Sequence, residues 1–375
     1  MKILYDHSVF QFQRYGGISR YFYELITRLS AKEDVGINLF QGFHVNEYDL
    51  SNHKLNFESY LGYKWKYKIT DAKYMSHIFA IPNQILFNTI YMRSDNYDIY
   101  HSTYYMKGLK QTGKIPIVIT VYDMIHELYP NQLKDSKTVI KAKKRSISIA
   151  DAIIAISENT KKDLIEIYDV PESKVEVVYL ANSLQSSNYQ SIDDLTMKYG
   201  LKRPYILYVG DRGAYKNFEI LLDTYSNHFS NHFDLVCFGG PKFTNDELKT
   251  INTIKSEKNI MHLHGSDSLL ASLYKHAFCF IFPSLYEGFG IPPLEAMSTG
   301  CPVVASEASS IPEVVGDAAI RFDPYSKDDL VSAIESLYDE TKRNKLIKRG
   351  FEQEKKFSWD KTTSDTLDIY KSILK

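Results

Sequence analysis

The stretch Phe282-Pro283-Ser284-Leu285-Tyr286-Glu287-Gly288-Phe289-Gly290-Ile291-Pro292-Pro293-Leu294-Glu295-Ala296-Met297 decides the fold and points to the chemistry. The apolar run Phe278 to Phe282 leads into it and reads as a buried strand. Pro283, Gly288 and Gly290 break that run, and a helix restarts through Leu294, Glu295, Ala296 and Met297. Main-chain N–H groups at such a helix start form an anion site, and glycines let a phosphate approach the backbone. Glu287 lies on the turn and Glu295 in the helix, with seven residues between them. One carboxylate before an anion site and one after can each accept hydrogen bonds from hydroxyls. That layout suits a sugar–diphosphate–nucleoside.

The same strand-then-helix alternation runs through the chain and predicts an α/β protein with parallel sheets. Strands are expected at Ile3–Tyr5, Ile37–Phe40, Asp98–His101, Ile115–Val121, Ala152–Ile156 and Val175–Val178. A second series follows at Tyr205–Val209, Leu235–Gly239, Ile260–Leu263, Phe278–Phe282 and Val303–Ala305. Helices are expected at Ser19–Leu29, Thr138–Ala150, Ser157–Tyr168 (with Ser157 as cap), Asn217–Tyr225, Ser268–His276, Asp328–Tyr338 and Ser358–Leu374. The polar segment Asn182 to Lys202 reads as a linker, dividing a first domain, 1–183, from a second, 203–356. Residues 357–375 carry the last helix. Two such halves imply a cleft between them, where ligands bind.

With 375 residues the chain exceeds one ordinary core, in keeping with two domains. Its 45 basic and 46 acidic side chains leave a net charge of −1, so no global field favours nucleic acid. Cys237, Cys279 and Cys301 sit in apolar surroundings and read as buried thiols of a reducing, cytoplasmic compartment, neither a disulfide frame nor a zinc site. No apolar run approaches the roughly 20 residues of a membrane span, and Met1 to Asp6 reads as a first strand, not a signal peptide. Lys134, Lys137, Lys141, Lys143, Lys144 and Arg145 predict a basic face. Tyr63-Lys64-Trp65-Lys66-Tyr67-Lys68, near the largely apolar Ile78 to Tyr91, is a mixture suited to peripheral contact with an anionic membrane surface.

Four further segments end strands with groups that carry chemistry. In Tyr208-Val209-Gly210-Asp211-Arg212-Gly213-Ala214-Tyr215-Lys216-Asn217, Arg212 and Lys216 flank a turn opened by Gly210, and two cations there can neutralise a diphosphate. Arg14-Tyr15-Gly16-Gly17-Ile18-Ser19 precedes a helix, and its paired glycines permit positive φ. Thr120-Val121-Tyr122-Asp123-Met124-Ile125-His126 leaves Asp123 and His126 at a strand end. Phe238-Gly239-Gly240 and His262-Leu263-His264-Gly265-Ser266-Asp267 close two more strands; the two histidines there are not spaced as a zinc pair. Neither Gly-x-Gly-x-x-Gly nor a Walker A pattern occurs, which argues against a dinucleotide-dependent dehydrogenase.

The Glu287-x7-Glu295 segment, continued by Ser298-Thr299-Gly300-Cys301-Pro302-Val303-Val304-Ala305-Ser306 and Ser310-Ile311-Pro312-Glu313-Val314-Val315-Gly316-Asp317-Ala318-Ala319, resembles the Glu-x7-Glu motif of retaining glycosyltransferases of family 4. Gly210-x-Arg212 with Lys216-Asn217 resembles that family's Gly-x-Arg…Lys-Asn motif, in the expected order. The resemblance implies a GT-B architecture, two Rossmann-like domains facing a cleft, with the last helix crossing back onto the first domain. It implies transfer of a glycosyl group with retention of configuration. Glu287 would orient the donor sugar, Glu295 would hold the ribose diol, and Arg212 and Lys216 would stabilise the departing diphosphate. Gly16, Gly17, Gly210 and the loop Gly288, Phe289, Gly290 and Ile291 would meet the donor phosphates, with Gly239, Ser266 and Asp267 around the nucleobase.

Many relatives carry His-Asp where this chain has Tyr122-Asp123, so Asp123 and His126 are the candidates for the sugar-contacting role there. No Asp-x-Asp triplet occurs, so no metal or other cofactor is expected. The mannosyltransferase-like members are the most similar. They imply a GDP-mannose-like donor and a glycan or lipid-linked glycan acceptor in surface polysaccharide synthesis at the inner membrane face. A UDP-sugar donor, a GT-B sugar epimerase or phosphorylase, and a non-catalytic nucleotide-sugar-binding protein stand as alternatives.

Overall fold

The computed structural model describes the chain except residues 52–54, 56, 66–71, 92–95, 106–114, 185–188 and 254–258; side chains 72–77, 91 and 214 are also left aside. Lys66, Tyr67 and Lys68 and part of the expected linker therefore lie outside the described residues. The chain forms two compact units, Met1–Leu180 with Trp359–Lys375, and Ala181–Ser358.

The first unit holds a seven-stranded sheet of β1 (Lys2–Tyr5), β2 (Gly36–His44), β3 (Phe57–Lys64), β4 (Ile99–Ser102), β5 (Ile117–Val121), β6 (Ala152–Ala155) and β7 (Val175–Val177), in the order β3-β2-β1-β4-β5-β6-β7. The second holds β8 (Tyr205–Val209), β9 (Asp234–Phe238), β10 (Ile260–Leu263), β11 (Cys279–Phe282), β12 (Val303–Ser306) and β13 (Ala319–Phe322), in the order β10-β9-β8-β11-β12-β13. Every pairing is parallel. These are Rossmann-like doubly wound sheets. Each reverses its strand order once, between β1 and β4 and between β8 and β11, and such points are where open α/β sheets bind ligands.

The central strands read as short unbroken apolar runs because both of their faces are covered. β5, β9, β11 and β12 are buried at every residue. Edge strands β3 and β13 were not expected from the sequence. β3 lies half open to solvent, with Leu61 and Tyr63 exposed, so it lacks the apolar run that betrays an interior strand. The second unit's core gathers Ile206, Leu221, Tyr225, Leu235, Ile281 and Ile334.

The last helix, Trp359–Ile373, belongs to the first unit, as expected. Its Tyr370 hydroxyl meets those of Tyr5 (2.9 Å) and the His101 Nδ1 (2.5 Å), and the Thr362 hydroxyl donates to the Tyr179 carbonyl at 2.7 Å. The expected linker is not a loose connector. Ser191 and Asp194 form a reciprocal capping box that starts the helix Ile192–Tyr199, whose Leu195 is fully buried. Nor is Lys143 part of a solvated basic face. It is fully buried, donating to Glu127 and to the Asp123 carbonyl, each at 2.8 Å.

Candidate active site

The site in the second unit is built where β8 and β11 end side by side. After β8 the chain turns at Gly210, whose φ of 118° only glycine adopts readily. A 3-10 turn, Ala214–Lys216, then leads to Asn217, left-handed at φ 54°. Asn217 donates to the carbonyls of Pro283 (3.2 Å) and Pro324 (2.8 Å), and Leu285 N–H donates to the Tyr215 carbonyl at 2.8 Å. These bonds tie the loop after β8 to the loop after β11.

They bring Lys216 and Glu287 together. The ammonium donates to both carboxylate oxygens, at 2.7 and 3.0 Å. Both side chains are largely buried, 20% and 11% exposed, so the pair is screened less than a surface one. Burial pulls the Lys216 pKa down, but the charge and hydrogen bonds of Glu287 together with Tyr215 and Asp211 outweigh it, and the ammonium is held above its ordinary value. Glu287 is anchored through its main chain. Its N–H donates to Ser309 Oγ (2.8 Å), and Ser310 Oγ donates to its carbonyl and to that of Phe289, both at 2.9 Å. Ser309 holds a left-handed φ of 49°, local strain of a kind found at ligand sites. Ser310 is legible in the sequence only as part of the motif, and Ser309 not at all as a site residue. The signal available was two hydroxyls directly before Ile311-Pro312.

Gly290 caps the helix Ile291–Ser298 with φ 107°. Pro292 and Pro293 occupy its first turn and carry no N–H, so this helix end offers the amides of Gly290 and Ile291 in place of the usual four. The expected anion site is therefore narrower than a helix start generally supplies. Glu295 is half-buried, and its Oε2 accepts from the Tyr274 hydroxyl at 3.2 Å.

Arg212 does not share Lys216's partner. Its Nε donates to Glu247 at 2.7 Å, and Nη2 donates to the Pro241 carbonyl. Gly239 and Gly240, both at positive φ, form the turn after β9; a Cβ on Gly240 would fall 2.6 Å from the Gly210 carbonyl. Ser266 caps the helix Asp267–His276 by accepting from Leu269 N–H at 3.3 Å, and Asp267 is in its first turn. His262 is lowered in pKa by burial, and its Nε2 pairs with the Gly239 carbonyl at 2.8 Å.

In the first unit, Asp123 accepts from Ile125 N–H at 3.0 Å, and His126 Nε2 lies 3.8 Å from Asp135. Tyr122 is buried and packs edge-on to Tyr21. The expected positive φ at Gly16 and Gly17 is absent: Gly16 is extended, at φ 174°, and caps the helix that Gly17 begins. A Cβ on Gly16 would fall 2.5 Å from the Gln13 amide, so that side-chain end, held by Ser19 N–H at 3.0 Å, would have to move aside. Among the described residues no group of three or more His, Cys, Asp or Glu is placed to hold a metal, and no helix is long and apolar enough to cross a membrane.

Two parallel-sheet units of this strand order, with the last helix returned to the first, define the GT-B fold. The sucrose-phosphate synthase of Thermosynechococcus elongatus shares it, with a TM-score of 0.74 over 99% of this chain and 98% of that one at 19% identity. Residues 15–181 match the model of Glycosyltransferase Family 4, and residues 196–353 match that of Glycosyl transferases group 1. The first unit thus carries the Glycosyltransferase Family 4 region and the second the group 1 region of glycosyltransferases. It is 34% identical over 242 residues to O-antigen chain mannosyltransferase B of Escherichia coli, covering 62% of this chain and 64% of the relative. It is 30% identical over 240 residues to the serotype-specific mannosyltransferase WbdA of Escherichia coli, covering 60% of this chain and 29% of the relative. The match thus spans less than two thirds of either relative's length.

Proposed function

We propose that the chain transfers a hexosyl group, with retention, from a nucleotide-sugar to a glycan or lipid-linked glycan, and that the donor is GDP-mannose or similar. The observation that carries this reading is the Lys216–Glu287 pair at the point where the second sheet reverses its strand order. Lys216 has three N–H donors. Two are spent on Glu287, which fixes the ammonium before any ligand arrives and leaves the third for a phosphate oxygen. As the bond to the anomeric carbon breaks, charge builds on the diphosphate, and a fixed cation at that point stabilises it. Glu287 in turn accepts from hydroxyls of the sugar, and Glu295 from the ribose diol. The acceptor attacks from the side of the leaving group, which needs no second catalytic carboxylate. The names of the relatives support mannose; the base and sugar rest on that likeness.

The acceptor side carries a supporting feature. On the helix Ala72–Tyr91, Ile78, Ile81 and Ile85 fall on one side of the helix and are 50%, 70% and 62% exposed. Such a row suits the inner membrane face, where a lipid-linked acceptor would lie.

The test is a thermal-shift screen of the purified chain against GDP-, UDP-, ADP- and dTDP-sugars, followed by turnover with the stabilising donor and NMR of the product anomer. A GDP-sugar should stabilise most, the product should keep the donor's configuration, and EDTA should leave the rate unchanged. Tighter binding of UDP-sugars overturns the base, and release of free nucleotide without an acceptor favours an epimerase. An inverted product overturns the mechanism, and loss in EDTA restored by manganese overturns the metal-free reading.

A further inference from the structure

The family resemblance gives Arg212 a place at the donor diphosphate, and four neighbours hold its guanidinium. Arg212 is only 2% exposed at its side chain, yet its Nη1 has no hydrogen-bond partner among the described residues. The other two nitrogens each have a partner. Nε donates to Glu247 at 2.7 Å, Nη2 donates to Pro241, and the plane lies 4.6 Å from the Phe243 ring and 5.8 Å from that of Phe218. Two rings, one carbonyl and one carboxylate hold the side chain in place, and Nη1 is the guanidinium nitrogen left with no partner among the described residues. A buried, unpaired N–H on a charged group calls for an explanation, and an oxygen that a ligand brings as the covering side chains give way would supply one.

Glu247 is itself locked. Its second oxygen accepts from Thr244 N–H at 2.6 Å, while Thr244 Oγ1 accepts from Glu247 N–H at 3.2 Å, a reciprocal cap on the helix Asn245–Thr253. The carboxyl pKa is lowered: burial raises it, but Thr244 N–H and Arg212 together outweigh that. Helix start, carboxylate and guanidinium form one continuous brace. We infer that Glu247 is a positioning residue for the donor site: it fixes Arg212 so that Nη1 reaches a phosphate oxygen of a nucleoside diphosphate. The inference rests on the donor reading of this site and adds to it a residue outside both motifs.

Calorimetry on the full chain with GDP and UDP, and with GMP and UMP as controls, tests it. Glu247→Gln keeps the shape but sets an NH2 against either the Arg212 or the Thr244 donor. It should weaken the better nucleoside diphosphate about tenfold and the matching monophosphate much less. Arg212→Ala should do the same, and the double variant should bind no worse than Arg212→Ala alone. Glu247→Asp, which retains the charge, should fall between Gln and wild type and serves if Gln does not fold. Diphosphate affinity within about twofold of wild type in both Glu247 variants, losses that add to those of Arg212→Ala, or equal loss for mono- and diphosphate would each reduce Glu247 to an ordinary brace and overturn the inference. If the wild-type chain binds none of the four nucleotides, the donor reading fails first and takes the inference with it.

Discussion

The two units share a strand order and differ in what stands at the carboxyl ends of their central strands. In the first unit the ends of β1 and β4 meet neutral partners, with His7 Nδ1 alone beside Asp6 left without one among the described residues. Asp6, fully buried after β1, accepts from Tyr100 Oη (2.6 Å), Thr103 Oγ1 (2.8 Å) and the N–H groups of Thr103 (3.0 Å) and Ser8 (2.6 Å). His101 of β4 bridges Tyr370 of the last helix and Thr120 of β5, the latter at 2.9 Å. In the second unit the same positions carry charge, Lys216 against Glu287 and Arg212 against Glu247, with one guanidinium nitrogen left over. A satisfied network rigidifies a core and fixes one arrangement. Unspent donors on fixed cations suit the opposite job, the holding of an anion proposed for this end. The topology alone assigns neither role.

The largest effect should come from breaking the charged end. Lys216→Ala and Glu287→Gln should each lower turnover about 100-fold or more while the circular dichroism spectrum stays that of wild type. Near-normal turnover in either variant would remove the contrast between the units. Loss caused by unfolding would show instead that the pair is structural, since stripping one partner from a buried pair costs about 3–5 kcal/mol.

The closed end should reveal itself in pH dependence. Burial depresses the imidazole pKa of His101 to about 3, and those of His7 and His44 to about 4. Below the ordinary histidine value of about 6.5 the unfolded chain takes up protons that the folded unit refuses. Their contribution is therefore complete above that value and is lost as pH falls through it toward 4. The loss is about 1.4 kcal/mol per pH unit for each histidine. Hydrogen exchange at pH 7 and pH 5 should show peptides of β1, β2 and β4 losing protection more than those of β8, β11 and β12. Equal loss in both units would mean the first is not closed by neutral imidazoles. Tyr370→Phe, which deletes the bridge without adding charge, should cost about 1–3 kcal/mol in urea unfolding with nucleotide affinity unchanged.

What the sequence disclosed follows the same division. The interior strands were legible because burial on both faces forces unbroken apolar runs, and the Glu287 loop because three backbone-breaking residues interrupt one of them. Strands β3 and β13 were not, because polar or exposed residues interrupt any apolar run in them, whereas the other two edges, β7 and β10, kept enough of theirs to be read. Lys143 misled for a related reason: its neighbours Lys141 and Lys144 are surface residues, and only Glu127, reached through the turn after β5, explains a buried ammonium. Arg212 and Lys216 read as one pair from their spacing, yet their partners come from different helices and loops. The Glu247 box was present as Thr244-x-x-Glu247, but its link to Arg212 spans 35 positions and leaves no local mark.

The smallest effect concerns Glu295, and it tests how far the open end extends beyond the phosphates. The ribose is remote from the breaking bond, so holding it contributes equally to ground and transition states and should appear in affinity with turnover unchanged. Glu295→Ala should weaken the favoured nucleoside diphosphate about tenfold with kcat nearly constant. Part of that loss could come from the Tyr274 hydroxyl, which donates to Glu295 Oε2 at 3.2 Å and is buried. Glu295→Gln separates the two, because its amide oxygen still accepts from Tyr274 while one acceptor for the diol is lost. The decisive comparison uses the 2′-deoxy nucleotide of the same base. Wild type should bind it more weakly than the ribonucleotide, and Glu295→Ala should bind the two alike. If the variant still prefers the ribonucleotide by the wild-type margin, the diol is read elsewhere and Glu295 serves Tyr274 alone.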